Sequence, residues 1–179
     1  MDTDQSKPSS YVKFFAMIAT SMVVMYFLMY LNSYQILDHA WFSETRLFMT
    51  LIMGAAMMTI MLGYMLGMYK NNEINLGILA FAALLFVAGL WLVRSQITVS
   101  DVDYMEGMIP HHSIAILTSE RSRIEDPRVR QLADEIIEAQ RREIKEMEWL
   151  IEDIRENGAA TSQEEADARP VPSFSATPE

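Results

Sequence analysis

The chain has 179 residues, no cysteine, 15 methionines and a net charge of −10. Residues 1–99 carry five acidic and five basic residues, whereas the remainder carries 19 acidic and nine basic residues, so the whole net charge lies in the second half. The acidic half excludes a nucleic-acid binder, because phosphate contacts need clustered lysine and arginine, and the lack of cysteine excludes disulfides, thiolate metal sites and thiol catalysis.

Three apolar runs predict three membrane-spanning helices at residues 12–31, 47–69 and 76–93. They lie in a membrane domain of residues 11–94, which follows an N-terminal tail of residues 1–10. About 20 apolar residues cross a hydrocarbon core of roughly 30 Å. The first run lacks the small-residue cleavage site of a signal peptide, so it is predicted to stay as a signal anchor in the lipid bilayer.

The charges beside the three spans favour an N-terminus in the cytoplasm. Lys7, Lys13 and Lys70 lie on one side of the predicted spans, and Arg46 and Arg94 lie on the other. Cytoplasmic flanks carry the excess of lysine and arginine. An odd number of spans then places the C-terminal domain outside the cytoplasm.

Residues 100–157 predict a helical hairpin. A capping box at Ser100 opens the first helix, Asp126 caps the second, and Gly158 ends it. The tail, residues 158–179, is rich in Ala, Glu, Pro, Ser and Thr, and is predicted to be disordered. The predicted fold is therefore all-α, with three transmembrane helices followed by a C-terminal hairpin.

The second helix of the hairpin has an apolar face built from residues three and four apart, namely Ile136, Ile137, Ile144, Met147, Leu150, Ile151 and Ile154. Two helices alone bury too little area to be stable. We therefore expect the hairpin to dock onto a second copy, onto another membrane or periplasmic protein, or onto the membrane surface. A dimer that forms a four-helix bundle is the simplest of these arrangements.

The first helix of the hairpin concentrates possible metal ligands. Met105, Met108 and His112 fall within about 60° of one helix face, and His111 lies about 60° beyond Met108. Pro110 removes one helical hydrogen bond, which is expected to let His111 turn inward. Thioethers combined with imidazoles, without a thiolate, suit Cu(I) best.

Hairpin geometry predicts which residues of the second helix face this cluster. A turn centred near residue 125 places Glu143 opposite Met108 and Gln140 opposite His111. Gln140 and Glu143 are polar residues on an apolar face, so they need partners. We expect them to hold the histidine rings by hydrogen bonds.

The same residues also have a structural interpretation, because methionine commonly fills helix cores. In that alternative the protein is a non-catalytic, membrane-anchored interaction module without a metal. The sequence contains no nucleophile paired with a base, no phosphate loop and no Glu-x-x-His pair, so we do not expect an enzyme. Seven methionines in the second span are interpreted as packing residues, Gly63-x-x-x-Gly67 as a close-packing surface, and His39 as a structural loop residue.

The spacing of the hairpin residues resembles the bacterial family called domain of unknown function 305. The pattern is Met105-x-x-Met108-Ile109-x-His111-His112, then Ala115-Ile116, then Leu132-Ala133-x-x-Ile136-Ile137-x-x-Gln140-x-x-Glu143-Ile144-x-x-Met147-x-x-Leu150. The resemblance implies a ferritin-like helical fold and copper bound by Met105, Met108, His111, His112 and Met147. Together with the three predicted spans, a bacterial family predicts a multi-pass protein of the bacterial inner membrane. Thr118 stands where many members carry a methionine, which argues against high affinity and against several copper ions in one hairpin.

Overall fold

The computed structural model describes residues 7–29 and 42–176, and every regular element in this part of the chain is an α-helix. The helices are α1 (Lys7–Leu28), α2 (Glu44–Tyr64), α3 (Asn72–Ser95), α4 (Asp101–Arg121), α5 (Pro127–Asn157) and α6 (Gln163–Ala168). The prediction of an all-α fold is confirmed. The chain divides into two units, one with α1–α3 and one with α4–α6.

The first unit contains three helices that are long and apolar enough to cross a membrane, at Ser10–Leu28, Glu44–Tyr64 and Asn72–Ser95. The prediction of three apolar helices is confirmed, and the chain is a membrane protein. The second helix starts before its predicted bound and ends at Tyr64, because a turn that contains Gly67 follows it. The end of the first predicted span and the histidine at position 39 lie outside the described residues.

A hydrogen-bonded group ties α1 to the connection between α2 and α3. The Tyr11 hydroxyl donates to Asn75 Oδ1 at 3.0 Å, and Asn75 Nδ2 donates to the Tyr69 carbonyl at 2.6 Å. The Asn71 N–H in turn donates to the Tyr11 oxygen at 3.2 Å. Polar groups among apolar helices are costly when unpaired, so this set fixes how α1 packs on its neighbours.

Two glycines allow close approach in the membrane unit. A Cβ added at Gly54 of α2 would overlap the side chain of Met22 on α1, and one added at Gly89 of α3 would lie 3.0 Å from Ile52. Small residues let membrane helices pack by direct van der Waals contact. By contrast, a Cβ at Gly63 or Gly67 would meet nothing within 4 Å, so the predicted Gly-x-x-x-Gly surface makes no such contact in the described chain.

The hairpin of the second unit starts as the sequence predicts. Ser100 and Asp103 form a capping box at the start of α4, and Asp126 accepts the backbone N–H of Arg128 at 2.9 Å at the start of α5. Such caps satisfy N–H groups that have no partner inside the helix. The two helices are joined by the short connection from residue 122 to residue 126.

The core residues of the hairpin are spaced by seven on α5 and by four and then seven on α4. Its buried residues are Met105, Ile109 and Ile116 of α4 and Ile137, Ile144 and Ile151 of α5. A repeat of seven keeps one seam of each helix against its partner. Only part of the predicted apolar face of α5 is therefore covered by α4.

The tail differs from its predicted disorder. Helix α6 begins at a cap formed by Ser162. Arg169, directly after α6, pairs with Asp153 of α5 at 2.6 Å and donates to the Gly158 carbonyl at 3.1 Å. The polar composition predicted disorder because α6 buries no apolar side chain. The structure instead orders this segment with a local helix cap and an ion pair to α5.

Candidate functional site

His112 joins the two helices of the hairpin. Its Nδ1 lies 3.0 Å from the Met108 carbonyl oxygen, and its Nε2 lies 2.9 Å from Oε2 of Glu143 on α5. Both partner atoms are acceptors, so both contacts are satisfied when both ring nitrogens carry a hydrogen. In this arrangement neither nitrogen presents a lone pair to a metal ion, and a metal at His112 has to displace one of the two contacts.

His111 points away from the hairpin core. Its side chain is exposed, and its ring lies 6.3 Å from that of His112 at an interplanar angle of 66°. The expectation that Pro110 lets His111 turn inward is wrong in this structure. Helix α4 continues through Pro110, whose side chain is fully buried, because packing around the ring holds the backbone despite the missing hydrogen bond.

The three candidate thioethers lie at different depths. Met105 is a buried member of the hairpin core, and Met147 packs against the same cluster from α5. Met108 is half-buried, one helical turn before His112. The predicted ligands therefore divide into an inner group, Met105, His112 and Met147, and an outer group, Met108 and His111.

Glu143 and Gln140 form a short chain of contacts behind His112. Gln140 Nε2 donates to Glu143 Oε2 at 3.5 Å, on the carboxylate oxygen that also faces His112. The sequence placed Glu143 opposite Met108 and Gln140 opposite His111. In the structure Glu143 contacts His112, and Gln140 contacts Glu143.

The observed contact of Glu143 lies one helical turn along α4 from the predicted one, and this offset has a geometric cause. Side chains of a helix lean toward its N-terminus, so His112 leans away from the hairpin turn and Glu143 leans toward it. Two residues that touch therefore have backbones offset by about one turn. Matching residues by backbone level alone misses this offset.

In the part of the chain that the structure describes, no group of three or more His, Asp or Glu side chains is placed to hold a metal ion. Sites for hard cations use such oxygen-rich groups.

Sequence reasoning missed a pair of ionic contacts on the opposite side of the hairpin. Glu106, which is only 8% exposed, pairs with Arg155, and Glu120 pairs with Arg141. The two acids are 14 residues apart on α4, and the two arginines are 14 apart on α5. That spacing is twice the seven-residue repeat of the core, so it could have identified these ion pairs from the sequence.

The family match covers the hairpin and most of the tail. Residues 101–176 match the family described as Domain of unknown function (DUF305). The chain is 36% identical over 104 residues to "Uncharacterized protein L153" of Acanthamoeba polyphaga mimivirus, a match that covers 54% of this chain and 68% of that relative. No solved structure matches the chain significantly. The prediction of the domain family is thus confirmed: the chain belongs to the DUF305 family.

Proposed function

We propose that the protein is a membrane-anchored metal-binding protein whose hairpin binds Cu(I) through thioether and imidazole groups. One observation carries the proposal. Met105 of α4 and Met147 of α5 contribute to one apolar cluster, and His112 reaches across to Glu143, one helical turn from Met147. Two soft sulfur donors and an imidazole from two helices thus lie in one region of the hairpin.

The donor chemistry fits Cu(I) and few other ions. Thioethers are soft ligands, and Zn²⁺, Mg²⁺ and Ca²⁺ prefer thiolate, imidazole or oxygen donors. Met105, Met147 and His112 would hold the ion on the inner side, with Met108 and His111 on the exposed side. A bound Cu(I) ion would supply a compact soft positive charge that sulfur donors stabilise.

His112 and Glu143 are expected to make metal binding sensitive to pH. A nitrogen that ligates a metal cannot also carry a hydrogen, so a proton and the metal ion compete for the same nitrogen of His112. Use of Nε2 breaks its contact with Glu143, and the carboxylate then stays next to the positively charged site. Binding is therefore expected to weaken as the pH falls.

The orientation proposed for the protein places the hairpin outside the cytoplasm of a bacterial cell. The lysine excess on the N-terminal side supports it, and a cysteine-free methionine site suits an oxidising compartment. A Thr161→Cys variant tests it, because the chain has no other cysteine and Thr161 is exposed. A membrane-impermeant maleimide should label this variant in intact cells, and labelling only after lysis would reverse the orientation.

The metal site is tested by a Cu(I) competition titration of the full chain in detergent, against a chromophoric chelator under reducing conditions. We expect submicromolar binding in the wild type and a loss of at least about tenfold in Met105→Leu combined with Met147→Leu. Leucine conserves the volume of methionine, so the core should be kept. The matched control is Met68→Leu, an exposed residue of the membrane unit. Equal affinity of the site variant and the control, or no binding by the wild type, would refute the proposal.

A further inference from the structure

Helix α5 has a second apolar stripe beside the one that packs on α4. At 100° per residue, its members lie within about 60° of one another. Val129 and Leu132 are 49% and 56% exposed. The remaining members, Ile136, Met147, Leu150 and Ile154, are half-buried.

Helix α4 has a matching stripe that lacks any charged residue. It consists of Tyr104, Met108, His111, Ala115 and Thr118, within about 80° of one another. Tyr104 is 57% exposed. The contact between His112 and Glu143 lies between the two stripes, which places both on the same side of the hairpin. We call this side the second face.

The two sides of the hairpin differ in their charged residues. The ion pairs Glu106–Arg155 and Glu120–Arg141 lie on the side opposite the second face. Glu143 is the one acidic residue within the α5 stripe, and it is paired with His112. A paired carboxylate is far less costly to cover than an isolated one.

The net negative charge of the hairpin disfavours self-association through its charged surfaces. Residues 101–158 contain 15 acidic and eight basic residues. A two-fold interface brings identical surfaces together, so like charges would meet on most of the hairpin. The second face avoids this, because apolar side chains are complementary to themselves.

The size of the second face suits a dimer of membrane-anchored chains. Its stripes run roughly 38 Å along α5 and 21 Å along α4, at 1.5 Å per residue. With helices about 9 Å apart, the flat footprint is about 550 Å² per copy. Protruding side chains add accessible area to this footprint, which brings the buried area toward the roughly 800 Å² per partner of stable interfaces. Confinement to one bilayer raises the effective concentration of the copies further.

We infer that the second face is the docking surface for a second copy of this chain, so that two hairpins pack face to face as a four-helix bundle. The inference does not require a bound metal, although Met108, His111 and Met147 of the second face are also proposed ligands. It also decides which residues can test association. Ile144 and Ile151, which belong to the apolar face predicted from the sequence, are core residues of one hairpin, so a charge there disrupts folding rather than association.

The first experiment compares Leu132→Lys with Gln131→Lys in the full chain, by sedimentation in density-matched detergent. Both positions are exposed and adjacent, but only Leu132 belongs to the second face. We expect the wild type and Gln131→Lys to sediment as two chains of 20.5 kDa, and Leu132→Lys as one. A monomeric wild type, or a Leu132→Lys variant that stays dimeric, would overturn the inference.

The second experiment does not depend on how well the lysine variant folds. Val129→Cys and Gln131→Cys each place a single thiol in a chain without cysteine. A short bis-maleimide added to the chain in lipid nanodiscs should join two Val129→Cys copies at least about fivefold more efficiently than two Gln131→Cys copies. Equal yields would show that the second face is not the contact.

Discussion

Oε2 of Glu143 lies 2.9 Å from Nε2 of His112, and this contact joins α4 to α5 within the hairpin. The Glu143 side chain is 39% exposed, so water weakens the attraction between the two groups. We expect a double-mutant cycle of His112→Ala and Glu143→Ala to give a coupling free energy of about 1 kcal/mol. Thermal unfolding followed by circular dichroism measures it.

The matched cycle replaces His111 instead of His112. His111 is exposed and directed away from the core, so His111→Ala and Glu143→Ala should be additive within about 0.5 kcal/mol. A coupling as large as that of His112 would mean that the contact between His112 and Glu143 adds nothing specific to stability.

Arg155 and Arg141 should differ in their effect on stability. The Glu106 side chain is 10% exposed, whereas that of Glu120 is 28% exposed. Arg155→Ala leaves the more buried carboxylate without this arginine, and is expected to lower the free energy of unfolding by about 3 kcal/mol. Arg141→Ala should lower it by about 1 kcal/mol. The check is hydrogen exchange of the α4 and α5 amides, which reports on the hairpin separately from the membrane unit.

The explanation of this difference can be tested by neutralising the acid. Adding Glu106→Gln to the Arg155→Ala variant should restore part of the lost stability, because an amide is less costly to bury than an unpaired carboxylate. If the added substitution lowers stability further, the charge of Glu106 is not the cause.

Gly54 and Gly63, both in α2, should respond differently to alanine. A Cβ at Gly54 overlaps the Met22 side chain, whereas one at Gly63 meets nothing within 4 Å. We expect Gly54→Ala to lower the melting temperature of the detergent-solubilised chain and Gly63→Ala to leave it equal or higher. Met22→Ala should relieve the defect of Gly54→Ala, and a failure to relieve it would place the strain elsewhere.

Asp126 should make the hairpin less stable as the pH falls into the acid range. A hydrogen bond from the Arg128 side chain, followed by one from its backbone N–H, lowers the pKa of Asp126 below its ordinary value of 3.8. Its contribution is therefore complete above pH 3.8 and is lost as the pH falls through the lowered pKa of the folded state. Asp126→Asn keeps the helix cap but removes the charge. In acid titrations followed by hydrogen exchange, the variant should lose less stability than the wild type, and parallel curves would exclude this role.

Local signals predicted the elements of the fold well. Apolar runs identified the three long helices, and Ser100 and Asp126 marked the starts of α4 and α5. These features act within one helical turn or one span, so a single segment contains all the information needed. The Tyr11–Asn75 contact joins residues 64 positions apart and could not be predicted from either segment alone.

The candidate site was predictable in its members but not in its contacts. The sequence correctly predicted that Glu143 lies close to the histidines, because the hairpin turn fixes which parts of the two helices are neighbours. It could not indicate that Glu143 meets His112 rather than Met108, or that Pro110 stays inside α4. Both depend on side-chain direction and on packing around a particular ring, which are properties of the assembled pair.

The ion pairs on the far side of the hairpin have a further consequence for how α4 and α5 are aligned. The core of α5 repeats every seven residues, so a slide of α5 by seven residues would carry Ile137 and Ile144 to the places of Ile144 and Ile151, while Arg130 would enter the buried place of Ile137. Such a slide would bring Glu148 to the place of Arg155, beside the buried Glu106, and set acid against acid. The charged pairs and the apolar core therefore select the same alignment of α4 and α5.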